Sequence, residues 1–255
     1  MRAGSRGILP ARPVSIFRPI ALPCGAMTSG PKTSRSKTSR PKQAEGRPAP
    51  RLYLVTPPVA DAVAFSSQLA AALAAGDVAA VLLRLAEADE RTQINRAKAL
   101  GPLVQDTGAA LLIDGHADLV ARAGADGAHL TGIAAFSDAI ARLKPERIVG
   151  VGGLVTRHDA MSAAEAGADY VMFGEPGAAG ERPSLAAIAE RVAWWAEVFE
   201  APCVAYAAAD EEVAPLAKAG ADFVALGDWL WRDPQAIVET MVRAAGHLRL
   251  PESAA

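Results

Sequence analysis

A closed parallel α/β barrel, the (β/α)8 or TIM-barrel architecture, follows from three features of this sequence. From Arg51 onward, short apolar runs alternate with longer helical stretches eight times over. The runs are apolar throughout, as parallel strands covered on both faces require. A phrase, Ala-Gly-Ala-Asp followed by a short apolar run, recurs at Ala123–Gly132, Ala166–Gly174 and Ala219–Gly227, with a looser copy at Ala75–Arg84. Each copy reads as a helix closed by glycine (Gly76, Gly124, Gly167, Gly220) that passes directly into a buried strand. Eight such units within about 200 residues suit a barrel at the small end of its range. An open doubly wound sheet is the alternative, but nothing here resembles the Gly-x-Gly-x-x-Gly start of its dinucleotide-binding version.

The elements can be placed in order. A first strand, Leu52–Thr56, leads to a helix near 61–75, and the second strand, Val78–Arg84, to a helix near 90–106. The third strand, Ala109–Asp114, precedes a helix near 116–123, and the fourth, Gly127–Leu130, one near 134–143. The fifth strand, Arg147–Val151, is followed by a helix near 157–166 that Thr156 can cap. After the sixth strand, Tyr170–Gly174, comes a helix near 184–200. Ser184 suits its N-cap, and Leu185, Ile188, Val192, Trp195 and Phe199 form one apolar stripe at spacings of three and four. The seventh strand, Cys203–Tyr206, and the eighth, Phe223–Gly227, carry helices near 210–219 and 233–247, the last started by Asp233 and Pro234.

Composition bounds the rest. With 255 residues, 51% of them hydrophobic and 21% charged, there is enough apolar material for one large core, read as a single domain at 51–250. Residues 1–50 hold ten Lys and Arg against Glu45 alone, whereas 51–255 hold 16 basic and 27 acidic residues. The near-neutral total of −2 therefore hides a basic tail on an acidic domain. The tail is rich in Pro, Ser, Lys and Arg and is expected to be disordered. It could be a nucleic-acid or membrane arm; the expectation is a solvated leader, with Met27 as a candidate start and neither nucleic acid nor membrane as a partner. Arg12, Pro13, Arg18 and Pro19 interrupt any secretory core, and no apolar run is long enough to span a membrane. Two cysteines, Cys24 and Cys203, make neither a disulfide framework nor a cysteine metal site, and the expected compartment is the cytoplasm.

In such a barrel, chemistry belongs where strands end and helix-bound loops begin. Arg84 ends the second strand and suits a phosphate oxyanion, or a rim salt bridge to Glu87 or Asp89. Asp114-Gly115-His116 ends the third; it reads as an acid–base or metal pair, or Asp114 caps the next helix. His129 and Thr131 end the fourth, with His129 facing the lumen or packing against a helix. Gly152 and Gly153 end the fifth and let backbone N–H groups approach an anion. Glu175 is the one acid of the glycine-rich stretch after the sixth strand, Tyr206 the phenol of the seventh, and Gly227-Asp228-Trp229 closes the eighth.

The order and wording of the units resemble the thiamine phosphate synthase family, including its thiazole tautomerase branch. The phrases that carry the likeness are Arg51-Leu52-Tyr53-Leu54-Val55-Thr56, Ala125-Asp126-Gly127-Ala128-His129-Leu130, Gly167-Ala168-Asp169-Tyr170-Val171 and Gly220-Ala221-Asp222-Phe223-Val224, over roughly residues 51–245. The resemblance implies a transferase of thiamine biosynthesis that joins a hydroxymethylpyrimidine diphosphate to a thiazole phosphate with Mg²⁺, pyrophosphate leaving as the thiazole nitrogen attacks. The strand ends and the resemblance together give Arg84, Asp114 and His116 as candidate catalytic residues, and His129, Thr131, Gly152, Gly153 and Gly227 as candidate contacts to a phosphorylated small molecule; metal ligands are left unassigned, and self-association is left open.

The family pattern is also broken in several places. Of Gln-x-Arg-x-Lys only Arg84 stands in Leu82-Leu83-Arg84-Leu85-Ala86, and Ala134 falls where a metal-binding Asp is expected. The pyrophosphate-gripping Thr-x-Thr-Lys becomes Ala178-Ala179-Gly180-Glu181, and Gly-x-Gly-Gly becomes Ala205-Tyr206-Ala207-Ala208. The tautomerase branch's strand-five His is missing, and His158 falls inside the following helix. The expectation is therefore a divergent member. The alternative is a non-catalytic or repurposed barrel that binds a phosphorylated or heterocyclic ligand, with Trp229 and Trp231 either lining a pocket or packing between helices.

Overall fold

The computed structural model describes residues 48–177 and 179–248; the expected tail, apart from its last three residues, lies outside them. Eight parallel strands close on themselves in sequence order: β1 (Arg51–Val55), β2 (Val78–Leu83), β3 (Ala110–Asp114), β4 (Gly127–Thr131), β5 (Ile148–Gly152), β6 (Tyr170–Phe173), β7 (Cys203–Ala207) and β8 (Phe223–Leu226). Pairing of β8 with β1, Val224 opposite Leu52, completes the ring and excludes the open sheet. The helices between and after them are α1 (Ala62–Ala74), α2 (Glu90–Gln105), α3 (Val120–Ala123), α4 (Ile133–Leu143), α5 (Arg157–Glu165), α6 (Leu185–Val198), α7 (Val213–Lys218) and α8 (Ile237–Leu248). Among the described residues no helix is long and apolar enough to cross a membrane.

Two layers of core explain why the strands are apolar on both sides. Leu52, Leu54, Val81, Leu111, Val149, Val171 and Val224 point outward into a shell shared with the helices. Tyr53, Val55, Leu82, Leu112, Tyr170, Met172, Val204, Tyr206 and Phe223 fill the lumen. The stripe on α6 behaves as expected, with Ile188, Val192 and Trp195 buried and Leu185 and Phe199 packed beside them.

The repeated phrase has a physical reason at each residue. Gly124, Gly167 and Gly220 take φ of 73°, 96° and 99°, the left-handed turn that stops a helix. Gly76 does not; a Cβ there would come within 3.1 Å of Leu52 and 3.2 Å of Met241, so in that copy glycine serves close packing and not a left-handed turn. The aspartate ties each strand to its predecessor. Its backbone N–H donates to the carbonyl of Leu111, Val149 or Cys203, and its carboxylate accepts the N–H of that same residue, at 2.8 Å (Asp126), 2.7 Å (Asp169) and 2.8 Å (Asp222). In the looser copy Asp77 instead takes a two-pronged ion pair from Arg51, at 2.6 and 2.9 Å.

Three helices differ from expectation. Only one turn, α3, forms in the stretch expected near 116–123, because Gly115 turns left-handed (φ 72°) and Gly115 to Leu119 stay irregular. The seventh begins as a 3-10 turn, Asp210–Glu212. The eighth starts at Ile237, since the chain after β8 first makes a 3-10 turn, Asp228–Trp231; Asp233 accepts the N–H of Gln235 ahead of the helix and does not cap it. Elsewhere the caps are as read: Thr156 and Asp159 form a reciprocal capping box on α5, and Ser184 caps α6.

Candidate functional site

At the C-terminal rim, Arg84 follows β2 with its N–H held by the buried Thr56 hydroxyl at 3.0 Å. Its guanidinium meets neither Glu87 nor Asp89. It reaches past the end of β1 to Asp228 (3.0 Å) and to Asp114 at the end of the neighbouring β3 (3.5 Å), while Asp89 caps α2. Asp114 therefore caps no helix: the residue preceding α3 is Leu119, which makes no side-chain cap. His116 is half-buried in the irregular turn beyond it.

His129 sits in the lumen and is fully buried. Its Nδ1 lies 2.9 Å from the Tyr170 hydroxyl, its ring stacks on that of Tyr170, and the Tyr170 hydroxyl is 2.8 Å from that of Tyr53. Its Nε2 lies 3.0 Å from Glu175 Oε1, an ion-pair distance. The other carboxylate oxygen, Oε2, accepts the Gly153 N–H at 3.1 Å. Tyr53, Tyr170, His129 and Glu175 thus form a continuous polar thread from the middle of the lumen to the mouth.

Electrostatics set the charges on this thread. Burial disfavours an imidazolium, but the Glu175 carboxylate, helped by Asp114 and opposed by Arg84, outweighs it and raises the His129 pKa. Burial also works against the Glu175 charge, yet His129, the Gly153 N–H and Arg84 together hold its carboxyl below the ordinary range. Burial pushes both lumen tyrosines well above their usual value, so they remain neutral hydroxyls.

The glycines expected to cradle an anion are already faced by side chains. A Cβ on Gly152 would overlap the Glu175 carboxylate, and one on Gly227 would overlap the Tyr206 hydroxyl. Gly153 adopts φ 61° against the Thr131 methyl, and Thr131 itself is exposed at the end of β4. Behind them Arg182 joins two loops: it donates to the carbonyls of Gly174 and Tyr206 at 3.0 Å each and grips Glu212 through one nitrogen at 2.8 and 3.0 Å. Trp231 packs on Phe65 and donates to the Val55 carbonyl, and Trp229 donates to that of Ala207; both are wedges between elements. His158 is exposed on α5.

Arg84, Asp114, His129, Gly152, Gly153 and Gly227 therefore belong to one mouth. The residues that the sequence left without a role are Glu175, Tyr170, Tyr53, Arg182 and Glu212. Glu175 had one signal, being the single acid in an otherwise small and apolar stretch from Gly174 to Gly180. The Mg²⁺ implied by the resemblance does not fit this donor set. Asp114 is engaged by Arg84, Ala134 offers no ligand, and among the described residues no three His, Cys, Asp or Glu side chains gather round one point.

Comparison with known proteins agrees with this architecture. Residues 52–229 match the family model described as thiamine monophosphate synthase. A thiamine-phosphate synthase of Rhodospirillum centenum is 43% identical over 187 residues, covering 72% of this chain and 90% of that protein. One from Hyphomonas neptunium is 39% identical over 201 residues, covering 74% and 89%. Among solved structures, thiamine phosphate pyrophosphorylase from Pyrococcus furiosus superposes with a TM-score of 0.64 at 20% identity over 79% of this chain and 96% of its own, which speaks to the fold. The chain belongs to the thiamine monophosphate synthase family.

Proposed function

We propose that this protein is a cytoplasmic transferase that makes thiamine phosphate, joining a hydroxymethylpyrimidine diphosphate to a thiazole phosphate in the mouth above Arg84. The observation that carries this reading is the extent of the likeness: 43% identity across 90% of a relative named for that product. Arg84 is the residue suited to a departing diphosphate, because its planar fork can take two oxygens once Asp114 or Asp228 yields. The ionised Glu175 suits the other partner, since nitrogen attack leaves positive charge on the thiazole ring, which a fixed carboxylate stabilises. The test is to incubate purified protein with both substrates and Mg²⁺ and measure thiamine phosphate by mass. Product well above the background reaction is expected, with loss of most of it in Arg84→Met; no product above background overturns the reading.

A second reading is favoured by one feature of the mouth. Its arginines, Arg84 and Arg182, are both already tied to carboxylates of the chain itself. A barrel so arranged would bind a phosphorylated or heterocyclic ligand without joining two. Thermal stabilisation by one substrate, with no product from the pair, would select this reading over the first.

A further inference from the structure

His129 is fully buried in the lumen, so each of its ring nitrogens needs a partner whether the ring carries one proton or two. On one side that partner is Glu175, whose Oε1 stands 3.0 Å from Nε2, so a proton on Nε2 faces a carboxylate in both charge states. The proton that comes and goes is then the one on Nδ1. Nδ1 lies 2.9 Å from the Tyr170 hydroxyl, which lies 2.8 Å from the hydroxyl of Tyr53. A carbonyl or carboxylate in the place of Tyr170 would only accept, and would satisfy Nδ1 in its protonated state alone. A hydroxyl both accepts and donates. The packing holds the phenol in this position: its ring lies stacked with that of His129 at 5.7 Å, and Gly150 leaves the room that a Cβ would take from its hydroxyl end.

We propose that Tyr170 and Tyr53 are positioning residues for His129, a pair of hydroxyls that turn together as the ring gains or loses a proton. With the ring doubly protonated, Nδ1–H donates to the Tyr170 oxygen and the Tyr170 hydroxyl donates to the Tyr53 oxygen. When one proton leaves to water the direction reverses: Tyr53 donates to Tyr170, and Tyr170 donates to the bare Nδ1. Burial keeps both phenols neutral, so both have a proton to donate in either state. The charged groups acting on the ring are Glu175 after β6, Asp114 at the end of β3 and Arg84 after β2. No heavy atom has to move in the exchange. Glu175 therefore keeps its place between Nε2 and the Gly153 N–H, and presents the same carboxylate to the mouth in both states. The exchange belongs to the resting protein and is independent of whether thiamine phosphate is made.

The experiment follows the ring nitrogens of protein labelled with nitrogen-15 histidine by NMR across pH, in wild type, Tyr170→Phe and Tyr53→Phe. The His129 signals are those missing from His129→Gln. In wild type the neutral ring is expected to carry its proton on Nε2, with Nδ1 showing the shift of a hydrogen-bonded acceptor. Tyr170→Phe strands Nδ1–H in the lumen, and the proton affinity of His129 is expected to fall about tenfold. Tyr53→Phe removes only the outer hydroxyl and should lower the affinity by less. An affinity unchanged or raised in Tyr170→Phe overturns the proposal, as does a neutral wild-type ring that carries its proton on Nδ1. If Tyr170→Phe does not fold, Tyr53→Phe decides: a lowered affinity supports the proposal, and an unchanged or raised one overturns it.

Discussion

Buried side by side, His129 and Glu175 have pKa values shifted in opposite directions, which ties the stability of the barrel to pH. Because the folded-state pKa of His129 is raised, its contribution is complete below the ordinary value of 6.5 and is lost as pH climbs through the raised value. Because that of Glu175 is lowered, its contribution is complete above the ordinary 4.5 and is lost as pH falls through the lowered value. The pair therefore stabilises most between these limits, with Asp114, Arg84 and the Tyr170 hydroxyl as the other polar groups acting on it. The stability difference between wild type and Glu175→Gln, from urea unfolding at a series of pH values, is expected to trace a bell over this range; a flat difference would remove the ion pair from the account. Gly150 makes a second, uncharged case. A Cβ at that position would run into the Tyr170 ring, so Gly150→Ala is expected to cost about 1–3 kcal/mol through overpacking, visible as a lowered Tm.

One tie recurs at the scale of the elements: Asp126, Asp169 and Asp222, the aspartates of the three close copies of the phrase, each hold the strand before. Such a bond to an ionised acceptor is worth about 1.5–3 kcal/mol. Asp222→Ala removes the carboxylate that accepts the Cys203 N–H at the start of β7, and a loss in this range is expected from urea unfolding. Asp222→Asn keeps an oxygen in place and should lose clearly less; equal losses in the two variants would show that the residue matters for something other than this acceptor. At Gly167, by contrast, the space is open and φ is 96°, so Gly167→Ala tests backbone conformation alone, at about 1–2 kcal/mol. These elements were legible because their causes are local: an apolar run, a glycine that turns the chain, a Thr156 or Ser184 that caps. The short α3 and late α8 have distant causes instead: the Gly115 N–H is taken by the His129 carbonyl of β4, and the Asp228–Trp231 turn is held by its indoles on the Ala207 and Val55 carbonyls.

Across the whole molecule, the mouth joins residues that the sequence keeps far apart. Arg84 and Asp228 are 144 positions apart, Tyr53 and Tyr170 117, and His129 and Tyr170 41. Strand ends placed Arg84 and Asp114 at the mouth and left His129 between the lumen and a helix, but no spacing rule could tell that Arg84 would pair with Asp228 two strands away or that Glu175 would lie over Gly152. Barrel closure makes both contacts, by bringing β8 beside β1 and the end of β6 beside that of β5. The result is a mouth in which Asp114 and Asp228 share the one guanidinium of Arg84, leaving its field poor for an incoming polyanion. Relieving one carboxylate should therefore strengthen anion binding at Arg84 without new contacts. For Asp228→Asn, whose side chain is 55% exposed and not part of the core, the Kd for inorganic diphosphate is expected to fall several-fold at low salt. Added salt should shrink the difference, because exposed charges are screened over about 10 Å at 0.1 M. Calorimetry on the two proteins at two salt concentrations measures this. Weaker binding in Asp228→Asn would mean that Asp228 positions Arg84 for the anion and does not compete with it.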